Sequence, residues 1–182
     1  MTTMYAALLR GINVSGHNRV PMAELRTLLT ELGHENVRTY LQSGNAVFSS
    51  SSDDEDALAA ELQRSIEKRF GFAVPCLVRD GAYLASVADA CPFPVGALQG
   101  RQLHVTYFDR PVDAARFTPV EAGAFLPEEF RLGNRALYLY APDGLGRSRL
   151  AAALHRPALT KGLVATTRNW NTVGKLVEMT RD

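Results

Sequence analysis

The sequence predicts an α+β protein made of two tandem ferredoxin-like (βαββαβ) halves, each an antiparallel sheet with its helices on one face. Three observations predict it. Short apolar strands and amphipathic helices follow the order β-α-β-β-α-β in the first half and repeat it in the second. Paired strands in the two halves are joined by turn residues, Ser43-Gly44-Asn45 and Gly133-Asn134. A chain of 182 residues, 46% hydrophobic and 21% charged, can bury such a core without disulfides or metal.

The elements follow in order. MYAALLR at residues 4–10 is short and nearly all apolar and is bounded by Gly11, as suits a central strand buried on both faces. A polar loop then leads to Pro21, after which Met22, Leu25, Leu28, Leu29 and Leu32 recur at helical spacing until Gly33. NVRTYLQ alternates, Ser43-Gly44-Asn45 turns, and AVFSS returns as the second arm of a hairpin. The acidic run Asp53 to Asp56 opens a helix with charge that suits its dipole, striped by Leu58, Leu62, Ile66 and Phe70 and ended by Gly71. AVPCLVR is the fourth strand, and a helix over 80–90 with CPFPVGALQG forms a connector. In the second half RQLHVTYF is a strand, VDAARF a short helix, EEFRLGNRALYLYA a hairpin, residues 148–154 a helix and LVATT the last strand. A terminal helix carries Trp170, Val173, Leu176 and Val177 on one face. The expected division is 1–95, the first half with its connector, and 96–182, the second half with the terminal helix.

Composition excludes several classes. Twenty basic residues against 19 acidic leave a net charge of +1, so no global field draws the protein to nucleic acid or anionic lipid. No apolar run approaches the roughly 20 residues that span a bilayer, and the N-terminus lacks the pattern of a signal peptide. No membrane partner and a cytoplasmic location are therefore expected. Cys76 and Cys91 stand in apolar surroundings without a CxxC partner and read as buried thiols. His17, His34, His104 and His155 have no HxH or HExxH spacing, so neither a metal nor another cofactor is expected. No GxSxG motif or Cys/His nucleophile pattern occurs, and whether the protein is an enzyme stays open.

Three polar clusters stand at element ends. RGINVSGHNR contains Arg10, Gly11, Asn13 and Gly16 after the first strand, where binding groups concentrate; its plainer reading is a glycine turn capped by Asn13 or Asn18. LQSGN contributes Gln42, Ser43 and Asn45, and ordinary hairpin chemistry explains it as well. KGLVATTRNWNTVGK places Thr167, Arg168, Asn169 and Asn171 beside the only tryptophan, Trp170, where a helix should begin. Unpaired N–H groups there can hold a phosphate or carboxylate. The plainer reading is N-capping by Asn169 or Asn171 with Trp170 as a core plug.

The stretches YAALLRGINVSGHNRVPMAEL, VRTYLQSGNAVF and ATTRNWNTVGKL, in this order, resemble the motifs of a bacterial family catalogued as domain of unknown function 1697. The resemblance covers essentially the whole chain. It implies two ferredoxin-like halves and brings with it no reaction, substrate or catalytic residue set. The favoured expectation is an anionic small molecule or nucleotide held by Arg10, Asn13, Gln42, Ser43, Asn45, Thr167, Arg168, Asn169 and Asn171. A protein–protein interaction or structural module comes second. Binding of RNA or other single-stranded nucleic acid, with Tyr107, Tyr138 and Tyr140 as a stacking face, is the least favoured. The oligomeric state is left open.

Overall fold

A computed structural model describes residues 1–181, the side chain of Ala122 apart. Among these residues the protein is α+β, with two four-stranded antiparallel sheets and six α-helices. It divides into two compact units, residues 1–84 with 176–182, and residues 85–175.

In the first unit β1 (Thr3–Leu9), β2 (Glu35–Tyr40), β3 (Asn45–Ser50) and β4 (Cys76–Asp80) form a sheet in the order β2-β3-β1-β4. Two helices, α1 (Met22–Glu31) and α2 (Glu55–Phe70), cover one face. Alternation along the strands puts Tyr5, Ala7, Leu9, Ala46, Phe48, Cys76 and Val78 against Leu25, Leu28, Leu29, Leu58, Leu62 and Ile66 in one core. The other face, with Ala6, Leu8, Val47, Leu77 and Arg79, is also buried. Local signals set the ends of α2: the Asp54 side chain accepts from the Ala57 N–H, Glu55 and Asp56 stand in the first turn, Lys68 and Arg69 in the last, and Gly71 stops it at φ 84°. The helix also covers the edge strand, because the Cys76 N–H donates to Gln63 Oε1 at 2.9 Å and the Asp80 N–H to Glu55 Oε2 at 2.7 Å.

A third helix, α3 (Gly81–Asp89), starts in the first unit and ends in the second. The second unit repeats the strand order. Its β5 (Leu103–Phe108), β6 (Glu129–Gly133), β7 (Ala136–Tyr140) and β8 (Ala165–Asn169) lie as β6-β7-β5-β8. Two 3₁₀ turns, Ala114–Phe117 and Ala122–Phe125, occupy the place of a first helix. Short helices α4 (Arg149–Leu154) and α5 (Pro157–Thr160) precede β8, and α6 (Trp170–Met179) follows it. The core gathers Phe108, Phe117, Leu137, Leu139, Leu150, Leu154, Leu159 and Ala165.

Two boundaries move. The second hairpin turns at Asn134 and Arg135 rather than Gly133-Asn134, because β6 takes in Gly133; a Cβ there would stand 2.7 Å from the Tyr138 ring, so only glycine leaves that ring its place. The last strand extends to Asn169 instead of ending at Thr167, with consequences for the third cluster.

Candidate functional site

The first two clusters meet at one end of the first sheet. The Leu9 N–H donates to Gly44 O at 2.9 Å, so the end of β1 is tied to the β2–β3 turn. The loop that follows folds as a narrow hairpin. The His17 N–H donates to Val14 O at 2.9 Å around Ser15 (φ 51°) and Gly16 (φ 76°), positive at both central residues as in a type I′ turn. The Asn13 N–H then donates to Asn18 O at 3.1 Å.

Asparagines hold this tip together. Asn13 Nδ2 donates to Val20 O at 2.9 Å and to Gln42 O at 2.7 Å, while its Oδ1 accepts from the Val20 N–H at 2.9 Å. One side chain thus ties both arms of the loop to the neighbouring turn. Asn18 Nδ2 reaches Gly11 O at 3.2 Å. Asn45 is fully buried and donates to Tyr40 O at 2.7 Å and Ser43 Oγ at 3.3 Å. Gly44, at φ 99°, leaves no room for a side chain: a Cβ would lie 2.8 Å from Leu9 Cβ and Ile12 Cδ1.

With the asparagines engaged, the tip presents Arg10, Gln42 and Ser43 among the expected site residues, and His17 and Arg19 beside them. Two apolar side chains are exposed there as well, Val14 at 59% and Leu41 at 54%. No Asp or Glu occurs among residues 10–20 or 41–45. The acidic run Asp53 to Asp56 follows the opposite end of β3, about 20 Å away at strand rise. Sequence reasoning did not single out His17, Arg19, Val14 or Leu41; the missing carboxylates were the available signal.

The third cluster belongs to the second unit, and Thr166 to Asn169 are strand residues. Arg168 is 8% exposed; its Nη1 donates to Thr166 Oγ1 at 2.6 Å and Thr167 O at 3.0 Å. Burial pulls its pKa down to about 10, which leaves the guanidinium charged at neutral pH. Thr167 Oγ1 lies 2.7 Å from Thr106 Oγ1 and 3.5 Å from His155 Nε2. Asn169 Oδ1 accepts from the Thr172 N–H at 3.0 Å and so caps α6, as the plainer reading expected. Trp170 is half-buried rather than a core plug. Asn171 is exposed, and its side chain lies over Gly100, where a Cβ would collide with it.

The expected stacking face is not exposed. Tyr107 and Tyr138 are buried, the Tyr138 hydroxyl donates to Val87 O at 2.6 Å, and the half-buried Tyr140 ring lies 6.1 Å from that of Phe93. The thiols also divide: Cys76 is buried, which pushes its pKa up to about 12, whereas Cys91 is half-buried. Among the described residues no group of three or more His, Cys, Asp or Glu could hold one metal ion, and no helix is long and apolar enough to cross a membrane.

The family model described as "Protein of unknown function (DUF1697)" matches residues 1–138. Among solved structures, that of the conserved bacterial protein SP0830 from Streptococcus pneumoniae is similar over 100% of both chains, with 25% identity and a TM-score of 0.74. No curated protein matches the chain.

Proposed function

We propose an activity for a chain that belongs to the DUF1697 family of proteins of unknown function: it binds an anionic small molecule or nucleotide at the cationic tip of its first unit. The observation that carries this reading is the separation of charge along one sheet, with Arg10, His17 and Arg19 at one end without a carboxylate and Asp53 to Asp56 beyond the other. Such a field steers an anion to the tip. Arg10 and Arg19 supply charge-assisted hydrogen bonds, and Gln42 and Ser43 orient the remainder of the ligand. Asn13 and Asn45 hold the loop in shape before the ligand arrives, so little ordering entropy opposes binding.

Thr167, Arg168, Asn169 and Asn171 are assigned to the fold of the second unit, where each already has a neighbour to satisfy or pack against. The strand order β2-β3-β1-β4, repeated as β6-β7-β5-β8, supports reading each tandem half, 1–95 and 96–182, as ferredoxin-like. Two free cysteines fit a reducing cytoplasmic setting.

A thermal-shift series with inorganic phosphate, nucleotides and phosphorylated metabolites tests the proposal on the wild-type chain and on Arg10→Ala and Arg19→Ala. Ligand at about a hundred times its Kd adds about 2.7 kcal/mol, a rise in Tm of roughly 5–10 °C for a chain of this size. A rise that both variants lose supports the tip as the binding site. Equal rises in all three proteins, or none in any, refute it.

A further inference from the structure

We propose that the cationic tip of one copy docks into an acidic groove at the opposite end of the first unit in a second copy. The groove, about 290 Å³, is lined by Leu32, His34, Ser51, Ala57, Leu58 and Glu61. Leu32 and Leu58 provide apolar floor. Glu61 is 42% exposed and its Oε1 lies 3.3 Å from His34 Nε2. Asp53 and Asp56 are exposed beside it, and no Lys or Arg occurs among residues 50–63. The chain therefore carries an aliphatic and cationic projection and an apolar, anionic recess on the same unit.

Leu41 argues that the projection is built for contact. It has φ 61°, a conformation that costs an L-residue other than Asn or Asp free energy, and it is 54% exposed. Asparagine would adopt that backbone more readily and hydrate better. A leucine kept there, beside the exposed Val14, suits insertion between Leu32 and Leu58 of the second copy while Arg10 and Arg19 meet Asp53, Asp56 and Glu61. Tip and groove are different surfaces, so the contact is heterologous and each added copy leaves one of each free. Two apolar side chains and a ring of charges make a small interface, and the association is accordingly weak and salt-sensitive. The proposal goes beyond anion binding, and an anion seated on the tip competes with it.

Sedimentation velocity over a concentration series tests it, at about 0.01 M salt, where the Debye length is about 30 Å, and at about 1 M, where it is about 3 Å. Average mass should rise with concentration at low salt and return to monomer at high salt. Arg10→Glu/Arg19→Glu removes the tip's charge and Asp53→Lys/Asp56→Lys that of the groove, so each variant alone should stay monomeric. Mixed together, one supplies a groove and the other a tip, and they should give 1:1 dimers that grow no further. Leu41→Asn, suited to its backbone, should weaken association while leaving the melting temperature unchanged or higher. A wild-type monomer at every concentration, association that neither charge variant alters, or a mixture that stays monomeric overturns the proposal. Phosphate shifts on Asp53→Lys/Asp56→Lys separate the two readings: a retained shift with no wild-type assembly leaves anion binding standing, and assembly without any shift leaves only docking.

Discussion

Arg79 and Arg168 hold the same place in the two halves of the chain. Each is the next-to-last residue of its sheet's last strand, opposite Ala6 and Val105 of the respective central strand. Each donates from Nη1 to the preceding carbonyl, Arg79 to Val78 O at 2.8 Å and Arg168 to Thr167 O at 3.0 Å. Each also precedes a helix cap: Asp80 Oδ1 accepts from the Tyr83 N–H at 2.7 Å, and Asn169 Oδ1 from the Thr172 N–H at 3.0 Å. The strings VRDGAYL and TRNWNTV share little beyond the arginine. The repeat lies in register and hydrogen bonding, which side-chain identity records poorly.

Arg168→Ala should therefore destabilise the protein rather than only weaken a ligand. Truncation leaves a cavity and strips Thr166 Oγ1 and the Thr167 carbonyl of a charged donor, a loss of about 3 kcal/mol. Tm should fall by roughly 10 °C. Arg10→Ala, on an exposed side chain, should stay within about 0.5 kcal/mol of wild type. Urea melts of both variants check the contrast.

Asn13→Ala removes three hydrogen bonds and places alanine at φ 54°. A loss of about 2–3 kcal/mol is expected. Asn13→Gly restores the backbone freedom but not the bonds and should recover about 1 kcal/mol. If the glycine variant were fully stable, the side-chain bonds would count for nothing and the tip would be held by backbone alone.

Gly44→Ala meets both a left-handed backbone and a contact of 2.8 Å with Leu9 and Ile12. Since Leu9 and Ile12 are buried, neither can swing aside, and the cost should exceed about 2 kcal/mol. Hydrogen exchange should show the loss first at the Leu9 and Gly44 amides, where the tip joins the sheet.

His104, 6% exposed on β5, has its pKa lowered from the ordinary 6.5 by burial. The unfolded chain therefore binds the extra proton more readily than the folded one, so stability is intact above pH 6.5 and declines as pH falls toward the lowered value. His104→Leu should flatten that part of the acid limb in urea melts taken at stepped pH. An unchanged slope would show that other groups govern it.

Most of the fold was legible because its signals are local. The stripe of α2, its Asp54 cap and its Gly71 stop depend on neighbours within a few turns, and capping by Asn169 rests on the next helix alone. The candidate site was harder to read. Asn13 and Asn45 have the composition of ligand-binding groups, yet they bond to backbone atoms of Val20, Gln42 and Tyr40 brought close by folding. Arg168 looked like an anion ligand in a loop, and strand pairing with Val105 buries it.

By itself the sequence determined the element order, the helix ends and the strand faces, since apolar periodicity and capping act over a few residues. Tertiary structure alone decided which polar side chains hold the fold and which face solvent. That choice turns on hydrogen-bond partners from distant segments, such as Gln42 for Asn13, and on a sheet register that sends the carboxylates of 53–56 to one end and Arg10, His17 and Arg19 to the other.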